Sequence, residues 1–166
     1  MSLNLSATIE KQWDKELSAV IVRSTIDGKK SNHKKLNIPD FFSDRVLIIK
    51  VIQAGLPYSF FNLILNFAPF TEKDWSEFLD LSGKSLQRYK QSEKDFRPIH
   101  SEKIIEMAEV TITGLDVFGD MEKFRMWLHT PSFALGSVCP VELLKDSYGK
   151  ELVMSELIKI EHGILA

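Results

Sequence analysis

TEKDWSEFLDLSGKSLQRYK, residues 71–90, is the stretch on which the fold turns. Thr71 is a capping residue, and Trp75, Phe78 and Leu79 follow at the spacing of one helical face. Ser82 then opens a second, basic helix whose inner face is Leu86 and Tyr89. A small residue, Ser76, lets the two helices approach, and Leu79 and Leu81 bracket a sharp turn, the pattern of a helix-turn-helix. Asp80 stands where such a turn usually has glycine in the left-handed conformation, which aspartate adopts at some cost. The second helix is expected to turn Lys84, Ser85, Gln87, Arg88 and Lys90 outward. Long cations reach phosphates, and Gln and Arg pair with base edges in the major groove. The alternative is a helical hairpin whose basic face is merely solvated, since a motif alone does not prove function.

Three- and four-residue spacing of apolar residues continues on both sides, and strict alternation is nearly absent, so the chain reads as all-α. A first helix is expected over 7–22, capped by Ser6, with Ile9, Trp13, Leu17, Val20 and Ile21 on one stripe. Residues 24–37, with Asp27-Gly28 and four lysines, read as a solvated connector. A second helix starts with Ser43 as cap and presents Val46, Ile49, Val51 and Ile52 until Gly55 and Pro57 end it. A third, from Ser59, is apolar enough to be buried, and a long one runs over 99–117. The tail of that long helix, Thr111 to Gly114, consists of poor helix formers, so burial must hold it. Gly119-Asp120 is a stop followed by a cap and divides the chain in two. Helices over 121–128, 140–145 and 150–161 follow, the middle one with Pro140 at its first position.

Composition narrows the function. The hydrophobic fraction of 44% in 166 residues is enough for one well-cored domain or two small ones. No apolar run reaches the roughly 18 residues of a membrane span, and the first residues lack a basic leader and an apolar signal core. A single cysteine allows no internal disulfide, which points to the cytoplasm. The net charge of -2 argues against indiscriminate coating of nucleic acid. The charge is unevenly spread: residues 23–35 and 82–97 are basic, and the last part of the chain is acidic. Cys139 precedes a proline, as a small buried hydrophobe does, and nothing places His129 or His162 beside it as a catalytic partner. The four histidines show no ligand spacing and no glycine-rich phosphate loop is present. No catalytic residue, metal, cofactor or small-molecule substrate is therefore expected, and the chain is not expected to be an enzyme.

The order of motifs carries a resemblance. LSGKSLQRYK, then AEVTITGLDVFGDMEKFRMWLHTPSFALGSVCPVELL, then YGKELVMSELIKIEHGILA are similar to the MbcA/ParS/Xre family of antitoxins from bacterial type II toxin-antitoxin operons. The likeness covers about residues 52–166 and leaves the first 50 unmatched. It is densest from Val117, through Phe118, Gly119, Asp120, Trp127, Leu128, Pro131, Ala134, Leu135, Gly136, Pro140, Leu143, Leu144, Gly149, Ile160, Glu161, His162 and Gly163. Ser137 stands where many relatives have a second glycine, Ser132 where an Asn is common, and Tyr148 where a small or acidic residue is usual.

The resemblance implies a partner protein: a RES-domain toxin that depletes NAD, neutralised when the C-terminal domain covers its active site. It also implies a homodimer that binds operator DNA and represses its own operon. The chain then divides into a variable N-terminal helix and basic loop (1–36), an Xre-like helix-turn-helix domain (37–119) and a toxin-binding domain (120–166). A stand-alone helix-turn-helix regulator without a toxin is the alternative.

Within 120–166, Trp127 closes a small core together with Met121, Phe124 and Leu128, and Pro131 and Pro140 bracket a loop holding Leu135 and Gly136. Leu152, Val153, Leu157, Ile158 and Ile160 are expected to dock the last helix, leaving its end as a short peg. Trp127, Pro131, Leu135, Gly136, Lys159, Glu161, His162, Gly163, Ile164, Leu165 and Ala166 are expected to contact the toxin, with the Ala166 carboxylate mimicking substrate charge. The plainer reading is a fraying end.

Overall fold

The structure is a computed structural model that describes the backbone of residues 7–24, 37–92 and 94–164, with side chains described from Glu10 onward. Ten α-helices and one 3-10 turn account for most of it, with no strand among the described residues, in agreement with the all-α reading. They are α1 (Ala7–Ser24), α2 (Ile38–Ser43), α3 (Arg45–Ala54), α4 (Tyr58–Phe67), α5 (Glu72–Leu79), α6 (Gly83–Ser92), α7 (Pro98–Phe118), α8 (Met121–Leu128), α9 (Pro140–Leu143) and α10 (Ser147–Glu161). The described residues form two compact units. One is built from residues 68–84 and 105–164, the other from residues 7–24, 37–67, 85–92 and 94–104. No single helix among the described residues is long and apolar enough to cross a membrane.

In the second of these units α1 packs on α2, α3 and α4. Trp13, Leu17, Val20 and Ile21 are buried, as their spacing predicts, and the Trp13 ring meets Phe60 and Phe67 edge-on at 5.5 and 6.4 Å. The Ser6 cap, the side chain of Ile9 and the connector over 25–36 lie outside the described residues. Helix α2 is a finding that periodicity missed. It is six residues long, started by Asn37, whose side chain accepts from Asp40 N–H at 2.9 Å, with a proline in its first turn.

Helix α3 corrects two expectations. Its cap is Asp44, which accepts from Leu47 N–H at 3.0 Å, and its inward face is Leu47, Ile48 and Val51. Val46 and Ile49 are exposed because they share the helix side of Arg45, Lys50 and Gln53, opposite Leu47, Ile48 and Val51. In α4, Phe60, Phe61 and Ile64 are buried while Leu63 and Phe67 are half-buried. Phe96 is fully buried and stacks on Tyr89 at 4.2 Å, and Ser101 Oγ accepts from Leu56 N–H at 3.0 Å.

The other unit begins with α5, whose start is a capping box: Thr71 Oγ1 accepts from Asp74 N–H, and Asp74 Oδ2 accepts from Thr71 N–H. Its Trp75 and Phe78 pack edge-on with Phe70. The helix ends with Asp80 in the left-handed region at φ 49°. Asp80 N–H bonds Glu77 O and Leu81 N–H bonds Ser76 O, the paired closure of a Schellman end. The cost foreseen at Asp80 is thus incurred to satisfy two carbonyls.

The far end of α7 holds together by burial. Thr111 turns its hydroxyl back onto Met107 O at 2.7 Å, and Gly114 leaves room for the Phe124 ring, whose atoms lie 2.1–2.4 Å from where a Cβ would stand. Gly119 closes α7 and Asp120 caps α8 through Lys123 N–H, so the stop-and-cap reading stands.

Candidate functional site

Residues 121–164 pack around Phe124, Leu128, Leu144, Val153 and Leu157, all fully buried. Trp127 is half-buried, 5.6 Å from Phe118 and 6.1 Å from Phe124, so it packs at the margin of this small core. Helix α9 packs on α8 and α10, and the 3-10 turn Phe133–Leu135 lies against α10.

Three contacts orient α10. Asp146 caps it, accepting from Gly149 N–H at 2.8 Å, so the helix starts three residues before the expected Lys150. Lys150 Nζ reaches Glu109 Oε2 of α7 at 2.6 Å, both side chains only 16% exposed. Just before the helix, Lys145 Nζ bonds Glu77 Oε2 of α5 at 2.8 Å. The hydrogen bond and charge of Lys145 hold the Glu77 carboxyl below its ordinary value, and Glu77 in turn raises Lys145. Both groups are solvent-exposed, so the pair orients more than it stabilises.

The inward face of α10 is Gly149, Val153, Glu156 and Leu157. The expectation that Leu152 and Ile158 also dock is corrected: Tyr148, Leu152 and Ile158 are 84, 56 and 47% exposed. Tyr148, Leu152, Lys159 and His162 follow at spacings of four, seven and three and so share one outward stripe, with Ile158 at its edge beside His162. Exposed apolar side chains along one face mark a surface that a partner covers. Lys159 rests 3.4 Å from Glu156, while Glu161, His162, Gly163 and Ile164 are exposed. The end of α10 does not fray: Gly163 N–H bonds Ile160 O and Ile164 N–H bonds Lys159 O, a second Schellman closure. Leu165 and Ala166 lie outside the described residues.

Pro131 and Gly136 are exposed and Leu135 is half-buried in the loop before α9. That loop is closed by a bridge between Ser132 and Val138 and carries two successive left-handed residues, Gly136 at φ 75° and Ser137 at φ 61°. The second of these accounts for the glycine that the resemblance leads one to expect at 137. Sequence reasoning passed over Phe133, which is 91% exposed at the tip of this loop. Cys139 points its thiol at the backbone oxygen of His129, 3.5 Å away, not at an imidazole ring.

On α6, Lys84, Gln87, Arg88 and Lys90 are exposed. Ser85 is half-buried on the same side as Leu86 and Tyr89, which corrects its placement among the outward residues, since it flanks the helix's inner face.

Two comparisons bear on this arrangement. Residues 113–163 match the family described as the antitoxin Xre/MbcA/ParS C-terminal toxin-binding domain. A curated relative, an antitoxin Xre of Photorhabdus laumondii subsp. laumondii, is 28% identical over 117 residues, which cover 70% of this chain and 79% of the relative.

Proposed function

We propose that the chain is an antitoxin of the Xre/MbcA/ParS type, whose C-terminal toxin-binding domain residues 113–163 match, and that it neutralises a RES-domain, NAD-depleting toxin by laying residues 120–166 over the toxin's active site. The observation that carries this reading is the outward stripe of α10, where Tyr148, Leu152 and Ile158 stand in solvent inside the matched toxin-binding segment. A helix that keeps one apolar face on its own core and a second one in water is built to be covered. Lys159 and His162, at the end of that stripe, with the exposed Glu161 on the same last turn, supply the polar rim such an interface uses for register. The protein acts by occlusion in the cytoplasm and performs no chemistry of its own.

The second half of the proposal is autoregulation by a homodimer bound to operator DNA through the exposed basic side of α6. Support comes from Lys84, Gln87, Arg88 and Lys90, four exposed donors on one short helix.

Co-expression with a RES-domain toxin tests the first half: growth and cellular NAD recover with the full chain and do not recover when 120–166 is deleted. Recovery with the deleted chain would remove the occlusion reading. Titration of an operator fragment tests the second half, with Arg88→Ala weakening binding by about 1–3 kcal/mol. DNA binding indifferent to that change would place the readout elsewhere.

A further inference from the structure

Phe133 is the most exposed large apolar residue described, at 91%, and the loop that carries it is rigid by construction. Ser132 N–H bonds Val138 O at 3.1 Å, and Ser132 O accepts from both Ser137 N–H at 2.8 Å and Leu135 N–H at 3.1 Å. Gly136 N–H returns to Phe133 O at 3.1 Å, and the two left-handed residues that follow hold the turn closed. Leu135, two positions on, is half-buried, so the loop directs one apolar side chain toward the fold and the other away from it. Residues 130–139 carry no charged side chain. An uncharged, internally bonded loop that strains its own backbone to hold a phenylalanine in water has no fold-stabilising reason to do so.

We propose that Phe133 is the aromatic anchor of the toxin interface, inserting into an apolar, side-chain-lined pocket on the toxin. This rests on the occlusion reading above and deepens it: the α10 stripe supplies the area, and Phe133 supplies a single deep contact. A pre-ordered loop loses little freedom on docking, which is the condition under which one aromatic side chain dominates an interface. The chemistry of the occupant follows from the loop, which offers no charge to pair and no free side-chain donor beyond Ser132 and Ser137 near its tip.

The test is a titration of the purified RES-domain protein with the full-length chain and its Phe133→Ala and Phe133→Leu variants. Phe133→Ala is expected to weaken binding roughly 30-fold or more, with Phe133→Leu between it and the unsubstituted chain. The melting temperature should stay within about 2 °C, since an exposed ring adds little to the fold. The loss should be the same at about 0.1 and 0.5 M salt, because an apolar contact is not screened. Phe133→Ala binding within about threefold of the unsubstituted chain overturns the proposal while leaving the occlusion reading in place. So does a Phe133→Ala protein that loses only self-association and keeps the toxin. An unsubstituted chain that fails to bind the RES-domain protein overturns the occlusion reading itself, and this proposal with it.

Discussion

Replacing Gly149 by alanine separates helix propensity from packing. In a helix an alanine is ordinarily favoured over glycine by about 0.5–1 kcal/mol, because the glycine chain has more freedom to lose. At 149 the added Cβ would stand 1.9 Å from Leu143 O, 2.7 Å from its carbonyl carbon and 3.0 Å from its Cα. A Cβ does not approach a neighbouring atom closer than about 3.0 Å, so α10 would have to retreat from the end of α9 by about 1 Å. The obstacle is backbone and cannot rotate away. The retreat would also pull Gly149 N–H from Asp146 Oδ1, the cap of α10, and loosen Val153, Leu157 and Leu144 in the core. Overpacking costs about 1–3 kcal/mol where side chains can yield, and a lost cap about 1 kcal/mol more. Gly149→Ala should therefore destabilise the protein by about 3 kcal/mol, with a melting temperature lower by about 6–12 °C. Gly83→Ala is the control, since a Cβ there meets nothing within 4 Å, and it should be neutral or stabilising by up to about 1 kcal/mol. Urea denaturation with unchanged slope reads both. A Gly149→Ala protein as stable as the unsubstituted one would refute the claim that α9 and α10 meet by direct backbone contact.

Ser137→Gly and Asp80→Gly should each stabilise by about 1 kcal/mol, by relieving a left-handed side-chain residue, and the two gains should add in thermal melts. Glu109→Gln should cost about 1–3 kcal/mol by leaving Lys150 without its carboxylate, and adding Lys150→Met should recover most of that in a double-mutant cycle. Glu77, held below its ordinary 4.5, adds stability that is present above its unfolded value and is lost as pH falls through the folded one. Lys145, raised above 10.5, adds stability that is lost as pH rises through its folded value. Lys145→Met should therefore flatten both the acid and the alkaline limbs of a stability-pH profile, and less so in high salt.

Helix ends were legible because capping chemistry is local. Thr71 with Asp74, Gly119 with Asp120, and Pro140 each announce a boundary within three or four residues, and each boundary is where the structure has one. The left-handed Asp80 was legible for the same reason. Helix α2 was not, because six residues are too few to show a period, although the Asn37 cap and the proline after it were in view. Phe133 left no periodic trace at all: its exposure is a property of the closed loop, which depends on Ser132 pairing with Val138.

The outward face of α10 misled sequence reading, and the reason bears on function. Periodicity locates a core face only when the opposite face is polar. On α10 the inward residues Val153 and Leu157 and the outward residues Tyr148, Leu152 and Ile158 are all apolar or aromatic, so the pattern blurs and every apolar position reads as core. Such blurring in a helix whose ends are both firmly capped, here by Asp146 and by the Gly163 closure, is not a weak helix signal. The caps fix the helix without help from a second buried face, so the surplus apolar residues answer to something other than the fold. On α10 that surplus coincides with the matched toxin-binding segment, and a partner is the remaining means of taking it out of water.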